Sequence, residues 1–333
     1  MFWSRSFFEP SRRRQGRLLK KRIKVVIALT GLTLATLHII NRVITSVATM
    51  KELLLKKKNN TFHWRFGEIH YTKKGSGKPV LLIHDLTYGS SSYEFHKIEN
   101  ELAKTNEVYS IDLLGYGLSD KPNITYTNYL FVELVTEFIK KVIGKRTDMI
   151  TSGDSSAIAV MACRNNPDII NKMIFINPQD VGKLSKIPGK RTKMLKFLLE
   201  TPILGTFIYN IFCNKKNITN KFLNEYFSCA GKIEENDILT YFEAAHYKDY
   251  SSKYATTSYL SHYTNININH ALSEIDYSMY IISGTEKENS HVITESYLGY
   301  NPSIEHCYIN NTKQLPHMES PKETLEAILL FLN

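Results

Sequence analysis

Cysteine is scarce in this chain, and its placement excludes two kinds of architecture. The 333 residues contain four cysteines, at positions 163, 213, 229 and 307. They form no C-x-x-C pair and no histidine lies at metal-ligand spacing from them, so neither a zinc site nor a disulfide framework is predicted. No metal and no cofactor is implied elsewhere. Lys, Asn and Tyr are common throughout the body, which reflects genome composition, and no nucleic-acid site is predicted.

Acidic residues are nearly absent from the amino-terminal end. Residues 1–24 hold nine Arg or Lys and one acid, and residues 25–41 carry no charge before a mostly apolar stretch to Met50. About 20 apolar residues span a bilayer. The pattern predicts a basic cytoplasmic segment over 1–24 and a transmembrane helix over 25–50, provided that Arg42 snorkels near its far end. The positive-inside bias then places the body outside the cytoplasm, in a single-pass protein of the cell membrane that contacts lipid through this helix.

Two alternatives to an anchor remain open. Lys51 and residues 56–58 make the second flank basic as well. The segment fits a signal peptide cleaved after Ser46-Val47-Ala48, or a peripheral helix on anionic lipid with the body in the cytoplasm. The long basic region and the long apolar stretch favour an uncleaved anchor, followed by a linker over 51–61.

The most informative stretch of the body is MITSGDSSAIAV, residues 149–160. It predicts a strand, a sharp turn and a helix. Gly153, Ser155 and Ala157 fit a nucleophile elbow, G-x-S-x-G, with alanine in place of the second glycine. A serine that only caps the helix fits the same residues.

Around this turn, strand and helix patterns alternate. Strands are predicted at Trp64–Tyr71, Val80–Ile83, Val108–Ile111, Lys172–Ile176, Ile275–Gly284 and Glu305–Ile309, and helices at Tyr93–Lys104 and Leu130–Ile143. This alternation predicts an α/β fold: a mostly parallel sheet with helices on both faces.

Residues 62–333 resemble the α/β-hydrolase superfamily. The resemblance rests on LLIHD, IDLLGYGLSDKP, the elbow, INP and the terminal LPHMESPKETLEAILLFLN. It implies an α/β-hydrolase fold in which residues 181–264, helical and aromatic-rich, form a cap over the active site.

The resemblance also implies a serine, histidine and acid triad with backbone N–H donors for an oxyanion. Ser155 falls at the nucleophile position, and the Ser156 N–H is one expected oxyanion donor. The other should come from the loop His84-Asp85-Leu86, where Asp85 replaces the family glycine. Asp154 lies one residue before Ser155, so its side chain should point away from the tip, which argues against an aspartate nucleophile as in dehalogenases.

The acid and histidine positions depart from the family pattern. The acid position holds Lys287; Glu286 is the expected substitute, with Glu288 and Asp180 as alternatives. The family histidine position holds Gln314, which cannot act as a base. His317, three residues later, is either a rearranged base or a residue that anchors the last loop. His291 and His306, like His84, are expected to be packing residues.

Two functions therefore remain. The first is a membrane-tethered serine hydrolase that cleaves a carboxylic ester or related acyl substrate through Ser155. The second is a non-catalytic protein of the same fold that binds a ligand or a protein partner, favoured by Asp85, Lys287 and Gln314.

Overall fold

The computed structural model describes residues 9–56 and 60–333. Eight strands form one sheet: β1 Asn60–Trp64, β2 Gly67–Lys74, β3 Lys78–Ile83, β4 Asn106–Ile111, β5 Thr147–Ser152, β6 Ile170–Ile176, β7 Met279–Gly284 and β8 Glu305–Ile309. Their order is β1-β2-β4-β3-β5-β6-β7-β8. Strands β1 and β2 pair antiparallel, as do β2 and β4. The remaining neighbours in the sheet, β4-β3, β3-β5, β5-β6, β6-β7 and β7-β8, all pair parallel. The carboxyl ends of β3, β5, β6 and β7 therefore meet at one edge, where sites form in open α/β sheets.

Fourteen α-helices occur among the described residues. They are α1 Glu9–Thr49, α2 Glu99–Leu102, α3 Asn128–Phe138, α4 Ser156–Asn165, α5 Val181–Leu184, α6 Lys190–Glu200, α7 Leu204–Phe212, α8 Lys215–Lys221, α9 Glu235–His246, α10 Lys253–Leu260, α11 Asn269–Glu274, α12 Ser290–Tyr300, α13 Pro316–Glu319 and α14 Pro321–Leu332. Helices α5 to α10 lie between β6 and β7, within residues 181–264, where a cap is expected; these helices are called the cap below.

The core lies on both faces of the sheet because alternate strand residues point to opposite sides. In β3, Leu81 and Ile83 pack with the apolar faces of α3, α4 and α11. Val80 and Leu82 pack on the other face with α2 and α14. The predicted fold, a mostly parallel sheet covered on both faces, is confirmed.

Three element predictions are wrong in detail. The strand predicted over Ile275–Gly284 begins only at Met279. The single strand predicted over Trp64–Tyr71 is a hairpin, β1 and β2, joined at Arg65 and Phe66. The helix predicted over Tyr93–Lys104 is reduced to a 3-10 turn at Ser92–Phe95 and the short α2. Buried Glu94 and Glu99, which hydrogen-bond to other elements, interrupt the apolar periodicity there.

The amino-terminal helix is longer than the span predicted over 25–50. Residues 1–8 of the basic segment and 57–59 of the linker lie outside the described residues. Within Gly16–Thr49, an 18-residue window has a mean hydropathy of 2.0, and none of it is buried. By length and composition this helix could cross a membrane, a test that a signal sequence also passes.

Candidate functional site

The turn between β5 and α4 has its strained residue at Gly153. Gly153 has a φ of +57°, whereas Ser155 has φ −66° and ψ −13°, which is ordinary right-handed helical backbone. A nucleophile elbow places the nucleophile at the strained tip of such a turn. The elbow therefore reads Thr151-Ser152-Gly153-Asp154-Ser155, with glycine at the tip. The prediction that Ser155 occupies the tip is wrong, because the tip residue is Gly153, two positions earlier in the chain.

Ser155 instead occupies the place of the second small residue. Its side chain is fully buried, and its Oγ donates to the carbonyl oxygen of His84. The Ser156 N–H donates to the carbonyl oxygens of Gly153 and Asp154. It is therefore not available to an oxyanion, contrary to the prediction. Both serine hydroxyls donate to backbone carbonyl oxygens, Ser155 to His84 and Ser156 to Gly153. The Ser155 hydroxyl accepts no hydrogen bond from the helix N–H groups, so the alternative capping role is also wrong.

The loop after β3 is held by His84 and Asp85. His84 is buried; its Nε2 accepts from the Leu113 N–H at 3.1 Å, and its Nδ1 lies 2.6 Å from the Asp85 carbonyl oxygen. Since Nε2 accepts, Nδ1 carries the proton and donates. Burial lowers the pKa of His84, which keeps the ring neutral.

The Asp85 carboxylate occupies the position of an oxyanion. Its Oδ1 accepts from the Asp154 N–H at 2.9 Å and from the Leu86 N–H at 2.8 Å. In the family elbow, the oxyanion donors are the N–H after the tip residue and an N–H of the loop after β3. With Gly153 at the tip, these two donors are the N–H groups of Asp154 and Leu86. Burial, together with the nearby Asp154 and Glu94 carboxylates, raises the pKa of Asp85 to about 8.

His317 lies behind this loop and pairs with Glu94. Both side chains are fully buried, with His317 Nε2 3.3 Å from Glu94 Oε1, and the imidazole stacks on Phe95. Burial raises the pKa of Glu94, but the contacts with His317 and Ser152 outweigh it, so the pKa lies below its ordinary value. Among the described residues, no hydrogen bond joins His317 to Ser155. The geometry matches the loop-anchoring alternative for His317 and not the rearranged base.

The residues at the acid and histidine positions converge on Asn177, at the end of β6. Lys287 Nζ donates to the carbonyl oxygens of Asn177 at 2.9 Å and Pro178 at 3.0 Å. Gln314 Nε2 lies 3.4 Å from the same Asn177 oxygen. Burial lowers the pKa of Lys287 to about 8, although Asp85 and Asp154 act in the opposite direction.

The three acids proposed for the triad lie at the cavity wall. Glu286 and Glu288 line it, and neither contacts His317 or Ser155 among the described residues. Asp180 also lines the cavity, but its Oδ1 accepts from the Lys183 N–H at 2.8 Å and caps α5. The structure thus separates all three from Ser155 and from His317.

A cavity of about 1010 Å³ lies between this edge of the sheet and the cap. Its polar lining includes Asp85, Asp154, Asn177, Gln179, Lys221, Tyr226, Tyr259, Lys287 and Gln314. Asp154 faces the cavity and accepts from Tyr259 at 3.2 Å and Gln179 at 3.3 Å, which contradicts the prediction that it points away. The cavity is of the size that holds a small molecule.

Lys221 is the cap residue that sequence reasoning missed. It is 9% exposed, and its Nζ lies over the rings of Tyr88 and Tyr226, 4.2 and 4.9 Å from their centroids. Within the described part of the chain, no acceptor hydrogen-bonds to Nζ. Burial lowers the pKa of Lys221, and Asp85 and Glu225 oppose this. Its only sequence signal is a lysine within the aromatic-rich cap.

No group of three or more His, Cys, Asp or Glu able to hold a metal ion occurs among the residues described.

No protein-family model matches the chain. A haloalkane dehalogenase of Agrobacterium fabrum is 26% identical over 162 residues, which are 48% of this chain and 50% of that protein. The match therefore spans about half the length of that relative. Among solved structures, a bromoperoxidase from Bacillus anthracis superposes with a TM-score of 0.66 at 16% identity, over 83% of this chain and 99% of that one. A membrane phospholipase A superposes with a TM-score of 0.65 at 18% identity, over 94% and 98%.

These likenesses confirm the predicted resemblance: the chain has the α/β-hydrolase fold, and its relatives are hydrolase-like members of that superfamily.

Proposed function

We propose that this chain is a membrane-tethered, non-catalytic α/β-hydrolase-fold protein that binds a small molecule with an acidic group in the cavity beneath its cap. The proposal combines the hydrolase fold with a site in which the family's catalytic positions are occupied by residues that cannot perform the catalytic roles. Fold alone does not determine activity, so the site must carry the argument.

The observation that carries the proposal is the Asp85 carboxylate on the N–H groups of Leu86 and Asp154. Acyl transfer depends on such donors being free to stabilise the developing oxyanion. Here the internal Asp85 carboxyl group already uses both donors, and a substrate oxyanion would have to displace it.

The remaining catalytic positions support the same conclusion. The tip residue Gly153 has no nucleophilic atom, and Lys287 and Gln314 stand at the acid and histidine positions. Glutamine cannot act as a general base, and a lysine bound to two carbonyl oxygens cannot orient an imidazole as a carboxylate does.

Lys221 supports the class of ligand. Its ammonium group lies at the cavity wall with no hydrogen-bond acceptor among the described residues, and an anionic group in the cavity would supply that acceptor. The aromatic faces of Tyr88 and Tyr226 and the apolar wall at Phe212, Val292 and Ile293 would accommodate an apolar portion.

The tether rests on α1, whose apolar window is unburied. The likeness to a structure described as a membrane phospholipase A, over 94% of this chain, also supports it. The basic end is proposed to lie in the cytoplasm, with the body outside.

The catalytic test uses the full chain in lipid nanodiscs and a fluorophosphonate probe. Wild type and Ser155→Ala are expected to remain unlabelled under conditions in which an active serine hydrolase is labelled completely. Labelling of wild type that disappears in Ser155→Ala would establish the alternative, a serine hydrolase for ester or acyl substrates, and overturn the proposal.

The binding test compares octanoate, octanol and octylamine by thermal unfolding of the same preparation. Octanoate is expected to raise Tm, since a ligand at 100 times its Kd stabilises the folded protein by about 2.7 kcal/mol. Octylamine is expected to leave Tm unchanged. Lys221→Met should abolish the octanoate effect, whereas Lys216→Met, at an exposed position of α8, should retain it. Equal effects of all three compounds, or none, would contradict an acid-binding cavity.

A further inference from the structure

Helix α7 of the cap exposes its apolar side. Leu204, Ile211 and Phe212 are 45%, 53% and 42% exposed, and Phe207 and Ile208 are partly exposed between them. This spacing places all five residues on one face. The opposite, buried face consists of Gly205, Thr206, Tyr209 and Asn210. The helix is therefore more apolar toward its surroundings than toward the protein.

Helix α6, which packs against α7, continues this surface. Met194, Phe197 and Leu198 are 70%, 74% and 42% exposed, and Ile187, shortly before the helix, is 82% exposed. Leaving side chains of this size in water costs about 1.5–3 kcal/mol each compared with burying them. Large apolar side chains exposed on two helices that pack together are typical of an interaction surface. We call these nine residues the lipid face: Ile187, Met194, Phe197, Leu198, Leu204, Phe207, Ile208, Ile211 and Phe212.

The lipid face adjoins the last turns of α1. Asn41 Nδ2 donates to the Ile203 carbonyl oxygen at 3.0 Å, and Asn210 Nδ2 donates to Asn41 Oδ1 at 3.0 Å. Asn41 and Thr45 are buried toward the cap, whereas Val43 and Val47 of the same turns are 56% and 59% exposed. Both α1 and α7 thus turn polar side chains toward the protein and apolar side chains toward its surroundings. This arrangement is expected of helices in a lipid environment.

Charge beside the lipid face is mainly basic. Residues 181–199 contain six Lys or Arg and no acid. Lys186, Lys190, Arg191 and Lys193 are all exposed beside the apolar residues. Each basic residue near an anionic membrane surface contributes about 1 kcal/mol to binding. A second copy of this chain would offer no matching negative surface at the equivalent position.

We propose that the lipid face inserts into the interfacial layer of the bilayer that α1 crosses, with the basic residues in the anionic headgroups. The inference rests on the proposed tether. Phe212 belongs to the lipid face and also lines the cavity, so the cavity wall lies against the bilayer, where an amphiphilic acid would enter from lipid.

The test places the photo-crosslinking residue p-benzoylphenylalanine at single positions of the full chain in nanodiscs that contain anionic lipid. Positions Phe197 and Ile211 probe the lipid face, and Leu32, 66% exposed on α1, probes the tether. Leu330, 80% exposed on α14 outside the cap, is the matched control. These positions are exposed, so the substitutions leave the core unchanged.

The expected result is lipid adducts at Leu32, Phe197 and Ile211, with adducts at Leu330 at least tenfold fewer. Adducts at Leu32 without adducts at Phe197 and Ile211 would overturn the lipid face and leave the tether intact. Absence of adducts at Leu32 would overturn the tether itself. Protein-to-protein adducts from Phe197 in place of lipid adducts would identify a second copy as the occupant and also overturn the inference.

Discussion

Gly153 and Asp85 determine at the level of single residues what this site can do. An added Cβ at Gly153 would overlap the Asp85 carboxylate, so the aspartate in this position requires glycine at the tip. A hydrolase elbow with a side chain at the tip could not hold this carboxylate in the same place. The two departures from the family pattern are therefore one coupled change.

Gly153→Ala is expected to lower the free energy of unfolding by about 2 kcal/mol or more, through the left-handed φ and the overlap with Asp85. Urea or thermal unfolding in detergent measures it. Gly299→Ala is the control, because Gly299 lies in α12 with open space around it and alanine favours a helix. Equal effects of the two substitutions would contradict the steric argument.

Asp85→Asn is expected to gain stability relative to wild type as pH rises from 5 to 8. The pKa of Asp85 is raised from 3.8 to about 8 in the folded state. Its proton therefore contributes stability that is complete below pH 4 and is lost as pH rises through 8. Asparagine keeps an acceptor oxygen for both N–H groups and does not titrate.

The measurement is the difference in Tm between Asp85→Asn and wild type at pH 5 and at pH 8. Asp168→Asn, at an exposed position, is the control for the same exchange of a carboxylate for an amide. A difference for Asp85→Asn that does not change between pH 5 and pH 8 would show that the carboxylate is ionised throughout this range, and would contradict the raised pKa.

At the scale of elements, apolar runs in the sequence predicted the strands of the sheet well. They did not predict where the polar residues of the site lie. The predicted strand Glu305–Ile309 has the observed bounds, and Val80–Ile83 lies within β3. Small residues behaved differently: Gly153, Ser155 and Ser156 fit the elbow motif in two registers, which only the backbone dihedrals distinguish. Lys221 reaches the cavity through the packing of the cap, a long-range arrangement that no local pattern encodes.

Sequence periodicity also could not reveal which side of α7 faces the protein. An apolar stripe is normally read as the buried side, and here it is the exposed one. The inversion depends on α1, whose Asn41 satisfies the carbonyl oxygen of Ile203 in the α6–α7 turn, at a residue with a φ of +54°.

Asn41→Leu is expected to speed hydrogen exchange in α7 about tenfold. The substitution leaves the Asn210 amide without its Asn41 acceptor and removes one of the two donors to the Ile203 carbonyl oxygen, which still accepts from the Phe207 N–H. The loss is about 1–2 kcal/mol. Exchange of residues 204–212 measures it in the full chain. Thr33→Leu, at an exposed position of α1, should leave exchange in α7 unchanged, and a similar acceleration in both variants would contradict the coupling.

At the scale of the whole molecule, the proposed tether predicts one orientation. If α1 crosses the membrane, the positive-inside bias predicts that residues 1–24 lie in the cytoplasm and the body outside. The cysteines report on this: Cys229 is exposed, whereas Cys163 and Cys213 are buried.

A membrane-impermeant maleimide is expected to label the full chain in intact cells at Cys229. Cys229→Ser should remove most of the labelling, and the same reagent after lysis serves as the control for total reactivity. Labelling only after lysis would place the body in the cytoplasm and favour the peripheral-helix alternative.

Because Asn41, Thr45 and Ala48 are buried against the cap, cleavage of the linker is not expected to release the body from a membrane. Proteolysis at a site introduced between Lys51 and Asn60 would cut the covalent link, yet α1 would still pack against α7 and α9. The severed body should therefore sediment with membranes until detergent is added. A leader peptide cleaved after Ala48 would likewise remain as a bound subunit of the folded protein.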